Sequence, residues 1–208
     1  MPTPVERIAN LQSQIWNGSL PLEIRLAAAD CRTYNDSEPY LIQYPRLSYL
    51  GFLLPRLHAF FSSSLIDPGV PAHDAWLSFE EVPLKWHYPA GLLYDLYSGV
   101  EPANIERLGA NDQVSESHAV VGEADVAPMA WRLVIHYSDF PDNQLIQLDP
   151  DGRAMLDAYI NAVKEADFVR NGTARTVMSL SKEDSDNLWQ AVESRASAAG
   201  LLTRQCNC

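Results

Sequence analysis

From Leu20 to Leu26 the apolar Leu20, Leu22, Ile24 and Leu26 alternate with Pro21, Glu23 and Arg25. A side-chain period of two sends one set to a buried face and the other to water, so the segment reads as a half-buried strand. The turn-rich stretch Asp30 to Glu38 follows. Tyr40 to Tyr44, stopped by Pro45, then reads as a second strand returning antiparallel to the first. Cover for this hairpin comes next in the chain. Leu50, Leu53, Leu54, Leu57, Phe60 and Phe61 recur at helical spacing, with Pro55 predicting a kink or a restart.

Ala75 to Phe79 and Val82 to Trp86 look like short strands, Gly91 to Ser98 a short helix, and Trp131 to Tyr137 another strand. A helix placed after an initial hairpin, followed by further strands, is compatible with a ubiquitin-like β-grasp in which a mixed sheet packs on a helix. Glu101 to Pro128 lacks either period and reads as an exposed loop. Beyond Asp149-Pro150 the pattern turns helical. Asp149 can cap, Asn171-Gly172 supplies a left-handed stop, and Ser181 with Asp184 forms a capping box before Leu188, Trp189 and Val192. The expected fold is thus α+β, a β-grasp domain followed by a helix-rich domain. Its expected bounds are an extension over 1–14, the β-grasp over 15–145 with its loop at about 101–128, helices over 146–193 and a tail over 194–208.

The 208 residues are 47% apolar, enough for a sizeable core, and carry a formal net charge of -12. With no cluster of Lys and Arg, nucleic acid is not an expected partner. The first fifteen residues hold no apolar run of signal-peptide length, and no run approaches a membrane span, so a cytoplasmic protein is expected. Cys31, Cys206 and Cys208 suggest a reducing compartment and no disulfide framework. The only lysines are Lys85, Lys164 and Lys182, so any lysine chemistry has three candidates.

His58, His73, His87, His118 and His136 are scattered, without metal-ligand spacing, and no metal or cofactor is expected. No nucleophile elbow, phosphate loop, dinucleotide fingerprint or zinc-protease motif is present, so the chain is not expected to be an enzyme. A hydrolase built on Cys31 is disfavoured, because that residue sits in the hairpin turn with no motif around it. Glu80-Glu81 falls in a strand-to-strand turn, and Lys85-Trp86-His87-Tyr88-Pro89 reads as core packing ahead of a recognition surface. On the helix from Arg153 to Arg170, Leu156, Ile160, Val163 and Asp167 trace one stripe. Lys164 lies beside it, with Ile160 and Phe168 one turn away on either side, so its stem can rest on apolar surface while the amine reaches out. Spacing alone makes Lys164 an ordinary solubilising residue.

Three segments carry more. They are Ile15-Trp-Asn-Gly-Ser-Leu-Pro-Leu, then Val82-Pro-Leu-Lys-Trp-His-Tyr-Pro-Ala-Gly-Leu-Leu-Tyr-Asp, then Ala162-Val-Lys-Glu-Ala-Asp through Met178-Ser-Leu-Ser to Leu188-Trp189. Long, ordered and rich in Trp and Pro, they resemble the autophagy protein 5 family over approximately Ile15 to Val192. The resemblance implies an acceptor lysine, matched here by Lys164, joined through an isopeptide bond to the carboxyl-terminal glycine of ubiquitin-like autophagy protein 12 by its conjugating enzyme. It implies a complex with coiled-coil autophagy protein 16 that promotes transfer of the ubiquitin-like autophagy protein 8 to phosphatidylethanolamine. Peripheral, partner-dependent association with the membrane at the phagophore assembly site follows from the same resemblance. Arg175 is a possible membrane contact, an ordinary helix-end charge being the other reading. After Val192 the chain departs from the family pattern, and the family's second ubiquitin-like domain has no counterpart here. The apolar surface around Trp189 is therefore expected to be uncovered, and a non-covalent binding module that conjugates poorly stands as the alternative.

Overall fold

A computed structural model describes residues 3–33, 37–98 and 130–197. The expected hairpin forms β1 (Ser19–Leu26) and β2 (Tyr40–Pro45), paired antiparallel with Leu22 opposite Ile42. Its alternation is realised in burial: Leu20, Leu22, Ile24 and Leu26 are all buried, while Glu23 and Arg25 face outward and pair with each other at 2.8 Å. Leu50–Leu53 forms a 3-10 turn, and α2 (Leu54–Phe61) restarts with Pro55 in its first turn, where the missing N–H costs nothing. Leu50, Leu53, Leu54, Leu57 and Phe61 close over the sheet.

Three more strands complete the sheet: β3 (Trp76–Phe79), β4 (Val82–Pro83) and β5 (Trp131–His136), with α3 (Ala90–Tyr97) between the last two. The order is β2-β1-β5-β3-β4. The central strands β1 and β5 run parallel, with Ile24 beside Leu133, while the other pairs are antiparallel. This is the mixed sheet of a ubiquitin-like fold. Each fully buried Leu or Ile of its face contributes about 1.5–3 kcal/mol relative to exposure.

The strand expected over Val82 to Trp86 is shorter than the sequence suggested. Pro83 has no N–H to offer a ladder, and beyond Leu84, whose N–H still donates to the Leu77 carbonyl at 2.8 Å, the chain turns inward. Trp86 enters the core and its Nε1–H donates to the Ile146 carbonyl at 2.7 Å. Glu80 and Glu81 form the two-residue turn between the paired Phe79 and Val82, at φ 47° and 67°. Such a turn requires left-handed backbone at both positions, where glycine or asparagine is the usual occupant.

The amino-terminal segment, expected only as an extension, is a helix, α1 (Pro4–Asn17). Thr3 accepts the Glu6 N–H and Glu6 Oε2 accepts the Thr3 N–H at 2.7 Å, a reciprocal cap visible in the sequence as Thr-x-x-Glu.

The helical region contains α4 (Arg153–Asn171), the short α5 (Arg175–Met178) and α6 (Lys182–Ser197). Gly152 stands at the cap position of α4, and Asp149, expected to cap directly before Pro150, reaches the helix from three residues further upstream, accepting the N–H groups of Arg153 at 3.0 Å and Ala154 at 2.9 Å. Those bonds, the one from Ala154 first, hold its carboxyl below the usual range. Gly172, at φ 70°, ends α4 by donating to the Phe168 carbonyl at 2.8 Å. Ser181 caps α6 by accepting the Asp184 N–H at 3.0 Å, while its hydroxyl donates to the Asp184 carboxylate at 2.7 Å. No helix among the described residues is long and apolar enough to cross a membrane. The loop expected at 101–128 lies outside the described residues, as do most of the tail and the cysteines Cys206 and Cys208.

Candidate functional site

The helical region meets the β-grasp domain through one deep contact and a group of rings. Met155 is buried against Gly51, where an added Cβ would stand 2.8 Å from the Met155 sulfur and push that side chain aside. Around it, Trp189 lies 5.6 Å from Phe52 and 5.5 Å from Tyr159, which in turn faces Tyr49 at 6.4 Å. The apolar surface around Trp189, expected to be uncovered, is covered in part: the indole is half-buried, because Phe52 and Tyr159 supply the ring faces it packs on. A cleft remains beside it, bordered by Phe52, Pro55, Leu148, Pro150 and Met155.

That contact fixes how α4 is turned. At 100° per residue, Lys164 stands about 180° around the helix from Met155, facing away from the β-grasp domain. The stripe of Leu156, Ile160, Val163 and Asp167 is half-buried, and Lys164, itself half-buried, adjoins it as read from the spacing. Ile160 and Phe168 sit one turn before and after it, the second with 60% of its surface exposed. Among the described residues no ion pair holds the Lys164 ammonium. Beside it, Asp167 accepts the Asn171 side-chain amide at 2.7 Å and the Val177 N–H at 3.2 Å, pinning α5 across the end of α4. An open hollow forms at this elbow, lined by Val163, Ala166, Arg170 and Val177. Arg175 opens α5 and is exposed. Lys85 and Lys182 are also exposed, the first between the buried Leu84 and Trp86, the second at the start of α6 beside Glu183 and Asp184.

The other candidates of the sequence are not gathered here. His136 stacks on Trp76 at 4.0 Å and shares a 2.8 Å hydrogen bond with Ser78. Burial keeps the His136 pKa low, and Ser78 is itself only 1% exposed, so this serine-histidine pair has no access to a substrate. Burial and the nearby Lys85 lower the pKa of His87. No group of three or more His, Cys, Asp or Glu among the described residues is placed to hold a metal ion. Cys31 is half-buried in a bridge to Leu65, and His118 lies outside the described residues. One residue that sequence reasoning passed over is Asp30, buried at 6% exposure and accepting the Tyr137 N–H at 2.7 Å. No local pattern announces a bond spanning 107 positions.

Comparison with known proteins places these features. The model of the UblA domain of autophagy protein ATG5 matches residues 15–137, and that of the ATG5 alpha-helical bundle region matches residues 152–198. Autophagy protein 5 of Aspergillus oryzae is 56% identical over 184 residues, covering 88% of this chain and 56% of the relative. Its counterpart from Coccidioides immitis is 50% identical over 205 residues, covering 88% and 58%. The chain therefore spans a little over half the length of these relatives. A crystal structure of Kluyveromyces marxianus Atg5 superposes with a TM-score of 0.68 over 89% of this chain and 64% of that one. At 23% identity that likeness speaks for the fold. With family matches over both the sheet and the helices, the chain belongs to the autophagy protein 5 family.

Proposed function

We propose that this chain is a non-catalytic adaptor of autophagy that accepts ubiquitin-like autophagy protein 12 on Lys164. Together with autophagy protein 16 it forms an E3-like complex promoting lipidation of the ubiquitin-like autophagy protein 8. The observation that carries the reading is the setting of Lys164, mid-helix on α4, turned from the β-grasp domain and held by no ion pair among the described residues. In the reaction the ammonium loses a proton and the amine attacks a thioester carbonyl on the conjugating enzyme. An amide N–C bond forms, the C–S bond breaks and thiolate leaves. The enzyme activates the carbonyl, while α4 supplies an aimed nucleophile whose stem is restrained by its neighbours.

The proposed setting is cytoplasmic, with peripheral association at the phagophore assembly site. Arg175 supports it as an exposed cation at the elbow, worth about 1 kcal/mol against an anionic headgroup. Reconstituted conjugation tests the acceptor. Lys164→Arg is expected to abolish the gel-shifted adduct that survives denaturation, whereas Lys85→Arg and Lys182→Arg keep it. An adduct persisting in Lys164→Arg refutes the assignment.

A further inference from the structure

The sequence contains two Asn-Gly pairs, Asn17-Gly18 and Asn171-Gly172. In such a pair the glycine nitrogen can attack the asparagine side-chain carbonyl, because no Cβ hinders closure of the five-membered ring. A C–N bond forms to give a succinimide, ammonia leaves, and water then opens the ring to aspartate or isoaspartate. Both pairs end a helix, but their surroundings differ. Gly18 is half-buried and tied to the β-grasp domain: its carbonyl accepts the Arg46 N–H at 2.9 Å, and a Cβ added to it would stand 3.1 Å from the Arg46 side chain. Asn171 and Gly172 are exposed, and nothing lies within 4 Å of a Cβ placed on Gly172. The Gly172 N–H is held by the Phe168 carbonyl at 2.8 Å, in a last turn whose Phe168 and Val169 side chains are exposed and lend it no packing. Fraying of that turn frees the nitrogen to react.

We propose that Asn171-Gly172 is a site of spontaneous deamidation, and that its conversion unlatches α5 from α4. The latch is the Asn171 amide together with Asp167. The amide donates to one oxygen of the Asp167 carboxylate at 2.7 Å, and the other oxygen accepts the Val177 N–H at 3.2 Å. Conversion of Asn171 to an acid removes the donor and sets two carboxylates one turn apart at a helix C-terminus, where each other's charge and the helix dipole both disfavour them. Isoaspartate also adds a methylene to the main chain and breaks the left-handed close at Gly172. Asp167 then turns away, and the Val177 N–H loses its acceptor. Lys164 lies two turns before Asn171 on the same face of α4. Resting on the reading of Lys164 as acceptor, the consequence is a chain whose conjugation slows as it ages, because the surface beside the lysine is reshaped.

The test incubates the full chain at neutral pH and physiological temperature. It follows amide-to-acid conversion by peptide mass, isoaspartate by enzymatic methyl transfer, and the Val177 N–H by amide exchange. The expected result is conversion several-fold faster at Asn171 than at Asn17, with exchange at Val177 rising in step while β1 and β5 stay protected. Asn171→Asp is expected to show the raised exchange from the outset. Asn171→Gln keeps an amide for Asp167 without the five-membered closure, and its exchange is expected to stay low throughout. Conversion at Asn17 as fast as at Asn171 overturns the proposal, as does conversion that leaves Val177 protected. In reconstituted conjugation the aged chain and Asn171→Asp are expected to form the adduct more slowly than the fresh chain, and equal rates overturn the consequence for conjugation. No adduct from the fresh chain refutes the acceptor reading instead, and mass and exchange then decide the modification by themselves.

Discussion

The β-grasp domain and the helices after Pro150 solve the problem of stability in opposite ways. In the first, Leu22, Ile24, Ile42 and Ile135 are completely buried, and β5 is bonded to β1 and β3, both far away along the chain. In the second, Met155 is the one buried side chain among the described residues of α4 to α6, and Phe168, Val169 and Met178 are 60%, 84% and 71% exposed. Caps at Asp149, Gly172 and Ser181 and a cluster of rings hold those helices. Proposed acceptor chemistry sits on the loosely held part, which a rigid sheet positions. A conjugation site must enter another enzyme's catalytic cleft, and surface helices with modest packing are suited to that approach.

The contrast is broken most directly by truncating one residue on each side. Leu22→Ala is expected to cost about 3–5 kcal/mol in denaturant unfolding, whereas Phe168→Ala changes stability by no more than about 0.5 kcal/mol. Comparable losses would mean the helices carry a core of their own. Next, Trp189→Ala is expected to cost about 2–3 kcal/mol, discounted for its half exposure. It raises amide exchange across α4 and α6 while leaving β1 and β5 protected. Uniform loss of protection would show one cooperative unit.

A gain is expected on the sheet side at the strained turn between β3 and β4. Replacing Glu80-Glu81 by Asn-Gly stabilises by about 1 kcal/mol, because the left-handed backbone at both positions is then held by residues that favour it. An unchanged melting temperature argues against strain there. The smallest effect is pH-dependent and again confined to the sheet. Burial lowers the His136 pKa below the ordinary 6.5, so the unfolded chain binds a proton more readily than the folded one. His136 thus contributes stability that is complete above about pH 6.5 and lost as the pH falls below it. His136→Gln, whose amide can still bond to Ser78, should make the acid limb of stability against pH shallower. His87, lowered in the same direction, retains part of it.

Local pattern carried most of the sheet. The Leu20-Leu22-Ile24-Leu26 alternation, Pro55 at a helix restart and the Ser181-Asp184 cap all appear where their chemistry demands. Pairings that join distant segments were not legible, since nothing in the spacing of Trp131 to Tyr137 specifies a parallel neighbour at β1. Val82 to Trp86 misled because Trp suits strands and cores alike, and the deciding partner, the Ile146 carbonyl, lies 60 positions away. Helix α1 was passed over although Thr3 and Glu6 were in view, because an apolar stripe without a packing partner looks like an extension. At the site, spacing gave the stripe beside Lys164, but its orientation depended on Met155 meeting Gly51.

The parallel union of β1 with β5 also sets a clock. Leu26 pairs with Ile135, so the central strand of the hairpin leaves the ribosome more than a hundred residues before its neighbour exists. At synthesis rates of about 5–20 residues per second, that is a wait of roughly 5–20 s. Throughout it, the edge of β1 that will receive β5 offers unsatisfied backbone bonds beside the apolar faces of Leu22 and Ile24. Nascent chains of this protein are accordingly expected to spend that interval dependent on chaperones, with vulnerability ending as Trp131 to His136 emerges.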